Sequence, residues 1–212
     1  MEFTQLLEIV GDEPVFGSAL LLAGDVDAAN VRRQLSRWTA AGWLYQLRRG
    51  VYALAPPYQR HKPHPFVIAN ALVRASYVSL QSALAYEGMI PEYTPVTTSV
   101  TTGRPGLWRT PLGDFAYRHI KTSWLHGYRR IEVAARQHAW VARPEKALLD
   151  LVYLQTAGDA PAYLAELRLQ AMERVDWDQL ERLAEASGSA KLARATERLA
   201  TLAREQSEYE KL

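Results

Sequence analysis

The stretch Asp27-Ala28-Ala29-Asn30-Val31-Arg32-Arg33-Gln34-Leu35-Ser36-Arg37-Trp38-Thr39-Ala40-Ala41-Gly42-Trp43-Leu44-Tyr45-Gln46-Leu47-Arg48-Arg49-Gly50-Val51-Tyr52-Ala53-Leu54 decides how this chain folds. On a helical wheel Val31, Leu35, Trp38 and Gly42 fall within about 60° of one another, which predicts a helix with one buried stripe. Asp25 or Asp27 can cap it, because a short carboxylate accepts the free N–H groups of the first turn. Ala29, Arg33, Ser36 and Arg37 lie opposite the stripe, with Asn30 and Arg32 on its flanks. Trp43–Leu47 and Val51–Leu54 are β-prone runs around Arg48-Arg49-Gly50, which predicts a hairpin with an arginine tip.

The exposed face of that helix combines small residues, guanidiniums and polar side chains able to reach base edges. A solvated amphipathic face is the plain alternative. Such faces usually interleave acids with bases at i,i+4 spacing, and this one has no Asp or Glu. A helix followed at once by a basic-tipped hairpin describes a winged helix–turn–helix. The helix would enter the major groove and the hairpin would touch flanking phosphates. The candidate DNA-binding residues are therefore Asn30, Arg32, Arg33, Ser36, Arg37, Arg48 and Arg49.

Charge outside the helix points the same way. Between Ala28 and Tyr86 there is no acid, yet Arg32, Arg33, Arg37, Arg48, Arg49, Arg60, Lys62 and Arg74 are all there. The whole chain has 25 basic and 23 acidic residues, so its net charge of +2 conceals this block. Segregated positive charge is the usual footprint of a polyphosphate partner. Arg74 reads as a helix-surface charge. From Asp159 onward eleven acids face eight bases, the opposite sign.

Upstream, Phe3, Leu6, Leu7 and Val10 predict a helix from Glu2 to Val10 closed by Gly11, and Val15–Leu22 predicts a second short helix stopped by Gly24. Downstream, Ala55–Pro65 carries four prolines, so it should run extended and mark a domain boundary. Arg60 and Lys62 there either extend a phosphate contact or keep a linker soluble. The expected division is residues 1–57 as DNA-binding domain, 58–65 as linker and 66–212 as a larger α+β domain ending in helices.

Within the larger domain the patterns predict helices over Pro65–Arg74 and Ser79–Glu87, the second capped by Ser79. Strands are predicted over Val96–Thr101, Phe115–Ile120, Arg130–Val133 and His138–Ala142. Pro144 opens another helix with Glu145 in its first turn. Lys146 and Asp150 on it are i,i+4 and can pair on the helix face. Trp124, Tyr128 and Trp140 read as core or partly exposed aromatics. From Ala160 the pattern is helical, with a seam at Leu192, Ala195, Leu199 and Leu202 that either finishes the monomer core or forms a dimer interface.

Composition excludes several classes. With 48% hydrophobic and 23% charged residues the chain is an ordinary globular protein, and no apolar run approaches the roughly 20 residues of a membrane span. Met1-Glu2 begins no signal peptide, so a cytoplasmic protein is expected. There is no cysteine, hence no disulfide frame or thiol chemistry. His61 and His64 sit in a proline-rich segment that does not preorganise a metal site. Thr102-Gly103-Arg104-Pro105-Gly106 lacks the Lys-Ser/Thr of a phosphate loop and reads as a turn. A metal-dependent nuclease needs clustered carboxylates near a lysine. Asp114, Glu132, Glu145, Lys146 and Asp150 are the candidates, but adjacent Glu145 and Lys146 diverge on a helix. No catalytic residue, cofactor or metal is assigned.

Ordered segments carry a resemblance. They are Tyr77-Val78-Ser79-Leu80-Gln81-Ser82-Ala83-Leu84, Gly88-Met89-Ile90-Pro91-Glu92, Val100-Thr101-Thr102-Gly103-Arg104-Pro105, Gly113-Asp114-Phe115-Ala116-Tyr117, His126-Gly127-Tyr128-Arg129-Arg130 and Ala142-Arg143-Pro144-Glu145-Lys146-Ala147-Leu148-Leu149-Asp150-Leu151. In this order the series, over roughly residues 1–155, resembles the AbiEi-type antitoxins of bacterial toxin–antitoxin operons. The resemblance implies a winged helix joined to an antitoxin domain and a non-enzymatic autorepressor of its own operon. It also implies a nucleotidyltransferase-like toxin as partner, countered without a stable complex. A free-standing repressor without a toxin is the alternative. One winged helix covers one half-site, so a homodimer or cooperative binding to an inverted repeat in its own promoter is expected.

Overall fold

The computed structural model describes residues 1–23, 26–91 and 95–209; Gly24, Asp25 and Glu92, named above, lie outside them. Helix α1 (Phe3–Val10) is followed by a two-residue strand β1 (Phe16–Gly17), a single helical turn α2 (Ser18–Leu21) and α3 (Ala28–Ala40). Strands β2 (Leu44–Arg48) and β3 (Val51–Leu54) form the hairpin, and β1 pairs with β3 to give a sheet ordered β1-β3-β2. The apolar run after Val15 is thus a strand and one turn rather than a helix. Phe16 faces Tyr52 in the ladder and stacks on its ring at 5.9 Å.

Asp27 caps α3 as expected, accepting from the Ala29 and Asn30 amides at 2.9 and 3.3 Å. Val31, Leu35 and Trp38 are buried. Gly42 is not part of the stripe: the helix ends at Ala40, and Gly42 is an exposed turn residue with φ 75°. Phe3 packs against Trp38, Trp43 and Tyr58 at 4.7–5.2 Å, joining α1, α3 and the hairpin.

The proline segment does not run extended throughout. A cis Pro56–Pro57 bond lies in a turn closed by Tyr58 and Gln59 amides donating to the Ala55 carbonyl. Further along, Gln137 clamps the chain: it accepts from the His64 amide at 2.8 Å and donates to the Lys62 carbonyl at 3.0 Å. Arg60 and Arg136 both pair with Asp12 at 3.0 Å.

Next come α4 (Pro65–Leu72), β4 (Ser76–Val78), α5 (Leu80–Tyr86), β5 (Val96–Thr101), β6 (Gly106–Thr110), β7 (Gly113–His119), β8 (Tyr128–Ala134), β9 (Gln137–Ala142) and α6 (Pro144–Leu154). The six strands form a mixed sheet ordered β6-β7-β5-β4-β9-β8. Helices α7 (Pro161–Glu166), α8 (Trp177–Ser187) and α9 (Ala190–Tyr209) complete the chain. Leu192, Ala195 and Leu199 are buried in the main core, with Leu202 packed against it, so the seam finishes this monomer's interior.

Ser79 precedes α5 but does not cap it. Its hydroxyl donates to Asp150 at 2.7 Å. Lys146 and Asp150 do pair, though inside the protein rather than on the helix surface, with neither side chain exposed. Trp124 is buried, while Trp140 is 45% exposed.

Two hydrophobic clusters result. The smaller gathers Leu6, Phe16, Val31, Leu35, Trp38, Leu44, Tyr52 and Leu54; the larger fills the six-stranded sheet and its helices. Leu47 and Ala53 belong to the larger one. Strands β2 and β3 therefore contribute to both cores, because alternate residues of a strand point to opposite faces.

Candidate nucleic-acid interface

Burial of Val31, Leu35 and Trp38 turns the opposite side of α3 outward. Asn30, Arg32, Arg33, Ser36 and Arg37 are all exposed there, and none of the three arginines makes an ion pair among the described residues. Thr39 bonds back to the Leu35 carbonyl at 2.8 Å. The α3 face thus presents guanidiniums whose donors are free for an anionic partner.

At the hairpin the two arginines part. Gly50 takes φ 81°, which lets the chain reverse in so few residues. Arg49 is exposed at the reversal. Arg48, in a register shift opposite Val51, turns inward: its guanidinium donates to the Leu72 carbonyl at the end of α4 and lies 5.5 Å from the Trp108 ring centre. The first contact ties the hairpin to α4 and the second to β6 of the larger sheet. Arg48 consequently stands apart from the other six candidates, which are all exposed.

The contact of Arg48 with Leu72 brings the hairpin tip to one end of the six-stranded sheet. Arg74 lies there too, in the turn between α4 and β4 rather than on the helix surface. Thr101 donates to the Ala75 carbonyl at 3.2 Å, the Ile120 amide donates to the Thr101 carbonyl at 2.9 Å, and His119 Nδ1 lies 2.9 Å from the Gly103 carbonyl. These bonds place the exposed Arg74, Arg104, His119 and Lys121 at the same sheet end. Arg74 already belongs to the acid-free block, but the group it forms with Arg104, His119 and Lys121 was not picked out from the sequence. Its signal was present, since residues 95–113 and 115–131 contain no acid.

Arg60 is drawn to Asp12 by an exposed pair at 3.0 Å, and this guanidinium holds the Asp12 carboxyl below the usual carboxylate range. Lys62 is exposed and unpaired among the described residues.

The carboxylates considered for metal chemistry do not assemble. Asp150 accepts from Tyr77, Ser79 and Trp124 at 3.0, 2.7 and 2.8 Å and pairs with Lys146, so its oxygens are engaged in the core. Glu145 accepts from the Asp176 amide at 2.9 Å. Among the described residues no three His, Asp or Glu side chains are grouped to hold a metal ion, and no helix is long and apolar enough to cross a membrane.

The segment carrying α2, α3 and the hairpin decides the comparison with known proteins. Residues 20–55 match the family model of a transcriptional regulator, AbiEi antitoxin. This AbiEi match begins inside α2 and ends one residue after β3, so it takes in all seven candidate residues. A crystal structure of the Rv2827c protein from Mycobacterium tuberculosis is similar in fold over most of the chain. The TM-score is 0.56 at 18% identity, covering 93% of this chain and 75% of that one. None of the curated proteins compared with the chain matches it.

Proposed function

We propose that this chain is a sequence-specific DNA-binding autorepressor and the antitoxin of a toxin–antitoxin pair, with a nucleotidyltransferase-like toxin as its functional partner. One observation carries the DNA reading: the AbiEi-matching segment presents an α3 face with three exposed arginines and no acid beside them. The order α1-β1-α2-α3-β2-β3, with β1 on β3, supports a winged helix–turn–helix in which α3 is the recognition helix.

In this reading α3 supplies sequence choice through Asn30, Arg33, Ser36 and Arg37. Arg32 and Arg49 contact phosphates, and Arg74, Arg104 and Lys121 continue that contact past the hairpin. Arg48 acts by holding the tip in place. Such a surface makes affinity fall with salt as bound counterions are released. An inverted repeat read by two copies fits one half-site per chain.

Anisotropy of the full chain on a duplex from its own promoter tests the repressor. Binding that is insensitive to salt would sink the mechanism. Co-expression of the neighbouring gene, with and without the full chain, tests the antitoxin. A neighbour that is harmless alone would leave a free-standing repressor, the reading consistent with a family match ending at residue 55.

A further inference from the structure

Sharing no residue with the α3 face, five segments meet around a polar pocket of about 550 Å³. They are the end of α5 with Glu87, β8 with Arg129, the start of α6 with Arg143 and Glu145, a 3-10 turn ending at Arg174, and the start of α8 with Asp176. The acids lining it are held by the fold. Glu87 pairs with Arg129 at 3.0 Å, Glu145 accepts the Asp176 amide at 2.9 Å, and Asp176 accepts the Gln179 amide at 2.9 Å.

The guanidiniums are not matched in the same way. Arg174 gives one bond, to the Glu87 carbonyl at 2.7 Å. The Arg143 side chain has no hydrogen-bond or ion-pair partner among the described residues, and Arg129 Nε is buried without an acceptor. That Nε is closed off from the pocket, so the donors open to an oxyanion are those of the Arg143 and Arg174 guanidiniums. Two open guanidiniums from separate segments, with the Glu87-held Arg129 beside them, offer more donors than the two oxygens of a carboxylate use and suit a tetrahedral group. The volume lies in the range of small-molecule sites.

We infer that this pocket binds a phosphate monoester of nucleotide size. Arg143 and Arg174 clamp the phosphate, and Arg129, held by Glu87, completes the cradle. The ligand joins α5, β8, α6 and α8, so its occupancy stabilises the larger sheet against its helices. The site is separate from the α3 face and stands whether or not that face binds DNA.

Calorimetric titration and thermal unfolding of the full chain test it at constant ionic strength, with inorganic phosphate, a nucleoside 5′-monophosphate and the uncharged nucleoside. The expected result is binding and a raised Tm with both phosphates, none with the nucleoside, and affinity lowered about tenfold or more by Arg143→Gln. Tighter binding of the nucleotide than of phosphate would support a nucleotide ligand; equal binding would overturn it and leave a site for inorganic phosphate only. The exposed Arg143 side chain donates no bond among the described residues, so Arg143→Gln should keep the unliganded Tm. If it does not, Arg174→Lys gives the same test with the charge retained and the fork removed. Affinity unchanged in both variants, or matched by chloride, overturns the site. A promoter duplex that displaces the nucleotide and itself binds Arg143→Gln more weakly would make the pocket part of a DNA surface, and overturns it too.

Discussion

Lys146 and Asp150 stand one turn apart on α6 and pair with neither side chain exposed to water. The Lys146 ammonium also lies 4.0 Å from the Trp124 ring centre, and Asp150 accepts from Tyr77, Ser79 and Trp124 as well. Removing one partner of a buried pair leaves the other uncompensated. Asp150→Ala strands four donors at once and should cost about 4–5 kcal/mol or prevent folding. Lys146→Met leaves the carboxylate three of its donors and should cost less, about 2–3 kcal/mol. Urea melts of the two variants check the order, and a less stable Lys146→Met would refute it.

Burial holds Lys146 down to about 8, with Asp150 opposing that shift. The unfolded lysine keeps its ordinary, higher value. The unfolded chain then binds more protons between about pH 8 and 10.4, so this residue makes stability rise with pH across that window. Tm measured from pH 7.5 to 10.5 should show a more positive slope in the native chain than in Lys146→Met.

His64 caps α4 with its ring, Nδ1 accepting from the Phe66 amide at 3.2 Å, and burial lowers its pKa. A cap that accepts must be unprotonated. Its contribution is therefore present above the ordinary histidine value near 6.5 and lost as pH falls below it. His64→Asn keeps a capping acceptor. That variant should match the native Tm at pH 8 and lose less of it at pH 5.5.

Arg48 and Arg49 are neighbours with different surroundings. Arg48→Ala should destabilise by about 1–3 kcal/mol through loss of the Leu72 bond and the Trp108 stack, with a small change in the salt dependence of DNA binding. Arg49→Ala should leave Tm nearly unchanged and make the slope of log K against log salt shallower by about 0.9. Anisotropy and melting on the same preparations separate the two, and the reverse pattern would contradict the geometry.

Arg33→Ala and Arg37→Ala should each cost about 1–3 kcal/mol on the promoter duplex and less on random DNA, if each reads a guanine. Equal losses on both duplexes would make them phosphate contacts. With about five phosphates neutralised, the native slope should be near −4 to −5.

Helix α3, its Asp27 cap and the hairpin were legible because their signals are local: a period, a short carboxylate and two β-prone runs around a glycine. Strand β6 was not, since all but the last of its residues are exposed and alternation does not register. Strand β4 is three residues buried on both faces, and β1 is two residues inside an apolar run. Tertiary partners were the other gap. The i,i+4 spacing of Lys146 and Asp150 is identical for a solvated pair and a buried one. Nothing around Arg48 announces Leu72 or Trp108. Gly127 is similar: it takes φ 76°, and a Cβ there would lie 3.0 Å from the Lys146 stem, a constraint set by a residue nineteen positions away.

The hairpin serves two interiors, with Leu44, Tyr52 and Leu54 on one side and Leu47 and Ala53 on the other. It is a party wall. Cutting the chain after Leu54 would leave one apolar face open to water, and cutting before Leu44 would strip the other. The part that carries α3 and the remainder should therefore melt together, and a force applied to α3 would pass through this shared wall into the larger sheet.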